Sequence, residues 1–430
     1  MANVGTLLVE GAAGTGKTTF LMTELDALVR SQGLDDGQRV LGLSVMHGSR
    51  LRLDQRLRTL ASLKRRYACS TFDSLAWRIV SRWRSLAREL SLPLSVDYES
   101  TCANAATLLK KDEVASWFGR SWPVVVVDEA QDCRGSRLAM LESIHGRVRL
   151  LTAGDEFQDL SSEGKNECLA WLRGVSETQT LTTCHRTNRS GLIQAALEVR
   201  EGRSVTLKGA GFLVLRGQNP SVCASHISRS LAFHGDSDAA ILTPTAELDI
   251  FDQVQDLVST KSYRASGKNS RMVGPYPIHR EKRPEEVAAD ILASLELGGH
   301  GGGWIRISEV PWRPVPGAAE LKAWMERQRR VFGREMVSVD SIKSEIQVIS
   351  QRLRVSAMSR GSRARSMTIH QAKNREFTNV IVLWPYQVGG SAETMRRALY
   401  NAITRARQFA TVIVQGRPND TRLISPPFAP

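Results

Sequence analysis

The 430-residue sequence lacks the features that mark a zinc-binding, secreted or membrane-spanning protein. Its six cysteines form no C-x-x-C pair, and no histidine pair lies near them at zinc-ligand spacing. No apolar run approaches the ~20 residues of a transmembrane helix, and the first residues lack a cationic, signal-type segment. We therefore predict reduced thiols, no structural zinc, no membrane partner and a cytoplasmic location.

Acidic residues are also scarce relative to basic ones. The chain has 58 lysines and arginines against 44 aspartates and glutamates, a formal net charge of +14. This excess favours a polyanionic partner, with nucleic acid ahead of an anionic membrane. A solvated basic surface without a partner remains the alternative, because charge alone does not identify a ligand.

One glycine-rich stretch has the spacing of a phosphate-binding loop. An apolar run at 6–9 precedes it, and apolar residues at 21, 25, 28 and 29 follow it, which predicts strand, loop and helix. Backbone N–H groups in such a loop turn towards an anion, lysine reaches the β and γ phosphates, and the hydroxyl binds Mg²⁺. The predicted nucleotide-binding residues are Gly11, Ala12, Ala13, Gly14, Thr15, Gly16, Lys17 and Thr18.

Two later strands are predicted to end in polar residues beside this loop. Four valines at 124–127 read as a strand buried on both faces, followed by Asp128 and Glu129. A second strand at 148–153 leads to Gln158. Ligands bind at the carboxyl ends of parallel strands, so Asp128 is predicted to bind Mg²⁺ with Thr18, and Glu129 to activate water. The alternative for both carboxylates is simple helix capping.

The remainder predicts a second α/β unit interrupted by an insertion. Strands are expected at 211–215, 239–242, 380–384 and 410–414. Between 250 and 365 a glycine cluster at 298–303 and a proline run at 311–316 indicate an inserted subdomain. Two basic stretches could contact a phosphate backbone or be solvated helix faces: residues 49–67, and Arg352, Arg354, Arg360, Arg363 and Arg365.

Taken in order, these motifs resemble the UvrD/Rep branch of superfamily 1 helicases. The matching segments are Gly11–Thr18, Thr71–Ser74, Val125–Asp132, Gly154–Gln158, Cys184–Arg186, Thr368–Phe377 and Tyr400–Arg407. The resemblance implies an α/β protein with two RecA-like P-loop domains, parallel sheets, ATP in the cleft between them and small helical insertions. Residues 1–185 would form the first domain, with a reduced insertion at 84–120. Residues 186–250 and 366–430 would form the second, with a reduced insertion at 250–365.

The resemblance also implies roles for individual residues. Arg186 and Arg405 match the arginines that contact the γ-phosphate, and Gln158 matches the sensor that couples this phosphate to DNA. Glu376 matches the ribose contact. His185 stands where the family has a tyrosine stacked on adenine, and Thr19 where relatives often place an arginine over the purine. ATP and Mg²⁺ are the implied cofactors.

Several positions depart from the family pattern. Only ten residues precede Gly11, so the segment with an adenine-reading glutamine is expected to be missing. Val45 stands where relatives have a DNA-stacking aromatic residue, and Asp73 where histidine is usual. Lys373-Asn374-Arg375 replaces the common Lys-Gly-Leu. We therefore expect intact hydrolysis, weak discrimination between nucleobases and a reduced grip on DNA.

The leading hypothesis is an ATP-dependent DNA helicase or translocase that binds single-stranded or end-containing DNA. The alternative is a DNA-sensing ATPase switch that acts with a separate nuclease or repair protein, as in phage-defence systems, and unwinds little by itself. A P-loop small-molecule kinase is excluded. Such an enzyme has no use for Asp-Glu-Ala-Gln-Asp together with two cleft arginines from a second α/β unit.

Overall fold

The computed structural model describes residues 4–93, 97–160, 164–234, 238–245, 249–265, 271–295, 303–310, 312–357, 364–416 and 421–430. The chain forms two compact units. The larger one comprises Met1–Leu92, Cys102–Arg280 and Ser362–Pro430, and the smaller one comprises Pro93–Thr101 and Glu281–Gly361. Residues 298–302, Pro311, Arg360 and Arg363, with the side chains of Arg352 and Arg354, lie outside the described part.

The first sheet of the larger unit is six-stranded, parallel and ordered β3-β2-β4-β5-β1-β6. Its strands are β1 (Thr6–Gly11), β2 (Val40–Ser44), β3 (Tyr67–Thr71), β4 (Val124–Val127), β5 (Arg149–Gly154) and β6 (Glu177–Leu181). The four valines of β4 are all buried, as expected for a strand covered on both faces. The carboxyl ends of β1, β4 and β5 therefore meet at one edge.

Helices cover both faces of this sheet. They are α1 (Lys17–Gln32), α2 (His47–Thr59), α3 (Phe72–Arg82), α4 (Arg84–Glu89), α5 (Tyr98–Leu109), α6 (Asp112–Ser121), α7 (Ser136–Ile144) and α8 (Glu167–Val175). One core contains Leu21 and Leu25 of α1 with Leu53 and Leu57 of α2. The opposite core includes Phe118 and other residues between 84 and 120, so this stretch contributes to the first sheet's packing.

The second sheet has seven strands in the order β12-β15-β9-β16-β17-β8-β7, all parallel except the short edge strand β7. They are β7 (Lys208–Gly209), β8 (Phe212–Gly217), β9 (Ala239–Thr243), β12 (Ile278–Arg280), β15 (Ala364–Thr368), β16 (Phe377–Trp384) and β17 (Ala406–Gln415). Its helices are α9 (Ser190–Glu201), α10 (Pro220–Phe233), α11 (Asp249–Thr260), α15 (Ile369–Ala372) and α16 (Ala392–Ile403). β10 (Tyr263–Arg264) and β11 (Met272–Val273) form a separate two-stranded antiparallel ribbon.

The smaller unit is mainly helical and has its own core. It contains α12 (Pro284–Ala293), α13 (Ala318–Phe332), α14 (Val339–Ala357) and an antiparallel pair, β13 (Trp304–Arg306) with β14 (Met336–Ser338). Ile291, Leu321 and Ile346 are among its buried residues. It resumes at Glu281, later than the insertion start expected at 250, because β12 pairs with β15 in the second sheet. Across the described ranges, no helix combines the length and apolar character needed to cross a membrane.

Candidate nucleotide site

Most of the candidate residues line one polar cavity of about 660 Å³ in the larger unit. Its walls include Gly14, Gly16, Lys17, Thr18, Thr19, Asp128, Glu129, Gln158, His185, Arg186 and Glu376. A second cavity, of about 780 Å³, lies beside β8 and α10 and is lined by Leu213, Phe233 and Phe409 among others. None of the candidate residues lines this more apolar cavity. The polar cavity is therefore the candidate nucleotide site.

The glycine loop connects β1 to α1, as the spacing predicted. Gly14 and Gly16 have φ angles of +82° and +84°, which side chains other than glycine rarely adopt. Lys17 Nζ donates to the carbonyls of Gly11 at 2.8 Å and Ala12 at 3.0 Å. These two hydrogen bonds hold the ammonium group within the loop at the N-terminus of α1, where an anion is also favoured by the helix dipole.

A hydroxyl and a carboxylate meet beside the loop. Thr18 Oγ1 donates to Asp128 Oδ2 at 3.0 Å, although the two residues lie on different elements. Burial and the charge of Glu129 raise the pKa of Asp128 to about 6, against the opposing effects of the Thr18 hydrogen bond and Lys17. Oxygen donors of this kind suit Mg²⁺, which takes one or two protein ligands and completes its shell with phosphate and water. Among the described residues, no group of three or more His, Cys, Asp or Glu side chains could bind a metal unaided.

Glu129 is held in an unusual backbone conformation. Its φ of +59° is rare for a residue with a side chain, and such strain is concentrated at functional sites. Gln131 Nε2 donates to Glu129 Oε2 at 2.6 Å, and the N–H of Asp155 donates to Gln131 Oε1 at 3.1 Å. The ends of β4 and β5 therefore position this carboxylate together, in the cavity wall.

Gln158 and Arg405 are in contact, but only Gln158 lines the cavity. Arg405 is 2% exposed, and its guanidinium donates to Gln158 Oε1 at 3.1 Å and to the carbonyl of Asn401 at 3.1 Å. Burial, with the charge of Arg186 adding to it, lowers the pKa of Arg405 to about 10. The structure thus places Arg405 behind the cavity wall, so contact with a phosphate requires it to move.

Arg186, Glu376 and His185 also line the cavity. Arg186 donates to the carbonyl of Thr404 at 2.7 Å and forms an ion pair of 2.9 Å with Glu376 Oε1. Glu376, expected at the ribose, is therefore paired with Arg186 here. The N–H of His185 donates to the carbonyl of Gly14 at 2.7 Å, so this segment is fixed directly to the glycine loop.

A hydrogen-bond network joins the glycine loop to α16. The N–H of Ala13 donates to Tyr400 Oη at 2.7 Å, and this hydroxyl donates to Asp155 Oδ2 at 3.2 Å. Arg200 forms an ion pair with Asp155 at 2.7 Å. Burial alone would raise the pKa of Asp155, but the charges of Lys17 and Arg200 hold it below its ordinary value. The two sheets are thus linked by groups that no single motif predicts.

The structure explains the unusual Lys373-Asn374-Arg375 segment. Asn374 has a φ of +62°, a conformation that glycine adopts freely and that asparagine tolerates better than most residues. Its Nδ2 donates to Ser49 Oγ at 2.5 Å, and Lys373 pairs with Asp132 at 2.5 Å. Asparagine thus supports the backbone turn of the usual glycine and adds a contact to α2.

The sequence did not indicate that α2 forms a wall of the cavity. Ser49, Arg52, Gln55, Arg56 and Thr59 all line it. For these arginines DNA contact or a solvated face is predicted from the sequence; the structure places Arg52 and Arg56 in the cavity wall, and Arg56 is also exposed. Leu53 and Leu57 are fully buried against the first sheet, and this turns the side with Arg52 and Arg56 towards the loop. Arg56 donates to Thr19 Oγ1 at 3.3 Å. The sequence feature that could have predicted this orientation is the four-residue spacing of Arg52 and Arg56 and of Leu53 and Leu57, which places each pair on one face of the helix.

Comparisons with known proteins agree with this architecture. The AAA domain family matches residues 2–218, just over half of the 430-residue chain, and the UvrD-like helicase C-terminal domain family matches residues 363–413. No curated protein sequence matches the chain. Among solved structures, the arterivirus nonstructural protein 10 helicase is similar, with 13% identity, 97% of this chain and 61% of that chain covered, and a TM-score of 0.37. The chain thus spans less than two thirds of that protein, and a likeness this distant adds no argument. The AAA-domain match covers more than half of the chain, so the chain belongs to the AAA domain family, and its residues 363–413 are similar to the UvrD-like helicase C-terminal domain.

Proposed function

We propose that the chain is an ATP-dependent DNA helicase or translocase that couples ATP hydrolysis to closure of two RecA-like domains on single-stranded DNA. The observation that supports this most directly is the Thr18–Asp128 pair, with Glu129, Gln158 and Arg186 around the same cavity. In this arrangement a phosphate-binding lysine, two oxygen donors for a cation, a general base and an arginine converge. Phosphoryl transfer requires this combination.

Each residue has a distinct task in the proposed hydrolysis. Lys17 and the loop N–H groups hold the β and γ phosphates, and Thr18 with Asp128 holds Mg²⁺, which neutralises charge on those phosphates. Glu129, positioned by Gln131, orients the attacking water and accepts its proton. Arg186 and Arg405 stabilise the charge that develops on the transferred group. Gln158 lies between Arg405 and the cavity, so it can relay the presence of the γ-phosphate.

A second candidate function is a DNA-sensing ATPase switch that signals to a nuclease or repair protein. Val45 supports it, because this residue packs against the first core where relatives carry a base-stacking aromatic side chain. Stacking on such a residue contributes about 1–3 kcal/mol per base. Without it, hydrolysis can respond to DNA while the grip needed for processive unwinding is weaker.

One experiment separates these functions. ATP hydrolysis is measured with and without oligo(dT), with oligo(U) as the RNA arm and Lys17→Ala as the inactive control. Strand displacement on a tailed duplex then follows under the same conditions. Stimulation with displacement supports the helicase, stimulation without displacement supports the switch, and hydrolysis indifferent to any polynucleotide contradicts both.

Binding of single-stranded DNA is expected to weaken steeply with salt. Each phosphate contact contributes about 0.7 to the slope of log K against log salt concentration for a single strand. Arg50 lies on α2 but not in the cavity wall, so Arg50→Gln is expected to flatten the slope by about 0.7. Arg58→Gln is the control, because Arg58 is already paired with Asp54 at 2.9 Å. Fluorescence anisotropy of labelled oligo(dT) from 50 to 200 mM salt measures the slope for both variants. An affinity that does not change with salt concentration would contradict the electrostatic interpretation.

Hydrolysis is expected to discriminate poorly between ATP and GTP. The phosphate, cation and ribose contacts are blind to the base, and His185 can stack on any purine. Strong rejection of a base requires buried polar groups that the wrong base leaves unpaired. The side-chain amide of Gln55, on the part of α2 that lines the cavity, is exposed, so water can complete its hydrogen bonds. We expect kcat/KM for GTP within about tenfold of that for ATP, a difference of about 1.4 kcal/mol. A preference for ATP beyond about a hundredfold would reveal a base-reading group not identified above.

A further inference from the structure

Arg52 and Arg186 line the cavity and Arg405 lies behind its wall, and the three differ in how their guanidinium groups are occupied. Arg186 is bonded to Glu376 and the Thr404 carbonyl, and Arg405 to Gln158 and the Asn401 carbonyl. Arg52 lines the same cavity, yet its guanidinium makes no hydrogen bond or ion pair with any residue in the described ranges. Its donors are therefore available to a ligand without breaking an existing contact.

The charges around Arg52 are balanced without a direct partner. Burial lowers the pKa of Arg52, the carboxylates of Glu376 and Glu129 raise it, and Arg186 and Arg375 oppose them. Neither carboxylate is close enough to form an ion pair with Arg52. The guanidinium of Arg52 has no protein acceptor among the described residues, and a phosphate group bound in the cavity would supply charged oxygen acceptors for it.

The position of Arg52 is fixed from both sides of the cavity. Leu53, the next residue, is fully buried against the first sheet, so α2 cannot rotate freely. Ser49, one turn earlier on α2, accepts the hydrogen bond from Asn374 of the second α/β unit. The backbone carrying Arg52 is therefore anchored, while its long side chain remains free to meet a phosphate.

From this geometry we propose that Arg52 contacts the terminal phosphate of the bound nucleotide, as a third phosphate-binding arginine supplied by the P-loop's own α/β unit. This inference rests on the proposed nucleotide-hydrolysing function and assigns a further residue to it. Arg52 needs no release from another partner, unlike Arg186 and Arg405. It would therefore bind the triphosphate first, before the arginines of the second unit exchange their present contacts for the same phosphate.

The test compares a triphosphate with a diphosphate. Affinities for AMP-PNP and ADP are measured with Mg²⁺ by displacement of a fluorescent mant-nucleotide, with kcat and KM for ATP, in wild type, Arg52→Gln, Arg52→Lys and Arg58→Gln. Arg52→Gln is expected to weaken AMP-PNP about tenfold to a hundredfold, as expected for a lost charge-assisted hydrogen bond, and ADP by less than about threefold. Arg52→Lys should recover part of the loss, because it keeps the charge without the planar fork. Arg58→Gln, on the same helix but paired with Asp54, should match wild type.

Two results would overturn the proposal. Equal weakening of ADP binding and AMP-PNP binding would show that Arg52 only adds positive potential to the loop. Unchanged affinity for both nucleotides would show that Arg52 contacts neither of them. Thermal unfolding of each variant shows whether the fold is retained, and Arg52→Lys provides the comparison if Arg52→Gln unfolds. A wild type that binds but does not hydrolyse ATP would contradict the proposed function, while the ratio of the two affinities would still decide the role of Arg52.

Discussion

Glu129→Gln is expected to lower kcat for ATP hydrolysis about 10²–10⁴-fold while ATP remains bound, as is typical when a positioned base is lost. The amide keeps the shape of the side chain and can still contact Gln131, but it cannot accept a proton from water. Lys17 and the Thr18–Asp128 pair are unchanged, so the groups that hold phosphate and cation persist. Single-turnover hydrolysis and mant-ATP binding separate the two effects.

Lys17→Ala is the matched comparison for Glu129→Gln. It removes the ammonium group held between the Gly11 and Ala12 carbonyls, so both nucleotide binding and turnover should fall. A Glu129→Gln variant that retains more than about a tenth of the wild-type rate would show that another group activates the water.

Arg405→Lys is expected to reduce kcat about 10³-fold or more, within the range found for arginines that stabilise the transferred phosphoryl group. Lysine keeps a positive charge but cannot reproduce the planar fork that reaches Gln158 and Asn401 together. Affinity for ADP should change little, because Arg405 does not line the cavity before it moves. The measurements are kcat under saturating ATP and ADP affinity by displacement.

The burial of Arg405 makes a stability control necessary. At 2% exposure, its replacement leaves acceptors on Gln158 and Asn401 without a partner, so the variant is expected to unfold at a lower temperature. The rate is therefore measured well below the midpoint of thermal unfolding. If kcat then remains within about tenfold of wild type, Arg405 supports Gln158 in the fold and does not stabilise the transition state.

The parts of the fold that the sequence predicted are those with strong local signals. Buried valines and a fixed glycine spacing identified β4 and the phosphate-binding loop, since both depend on residues adjacent in the chain. The edge strand β6 was missed because Glu177–Leu181 is almost wholly polar and exposed, and only pairing with β1 makes it a strand. Strand β12 was also missed, because it is a strand only through its pairing with β15, which lies far along the chain.

The candidate site shows the same division between local and long-range information. Motif spacing predicted the kinds of residues that meet in the cavity, from Lys17 to Glu376. It could not show that Arg405 is buried against Gln158, because that depends on how two sheets pack. The cavity-facing side of α2 was also missed, since a run of arginines looks like a solvated face until Leu53 and Leu57 are known to be buried.

The hydrogen bond between Ala13 and Tyr400 has a thermodynamic consequence. Tyr400 lies on α16, whose C-terminal end leads to Arg405, so the state of the glycine loop and the state of this helix are energetically linked. Linkage between two binding equilibria is reciprocal. If nucleotide binding changes the affinity for a polynucleotide by some factor through α16, polynucleotide binding must change the affinity for the nucleotide by the same factor. An ATPase stimulated through this contact must therefore hold DNA with an affinity that changes at each stage of the nucleotide cycle.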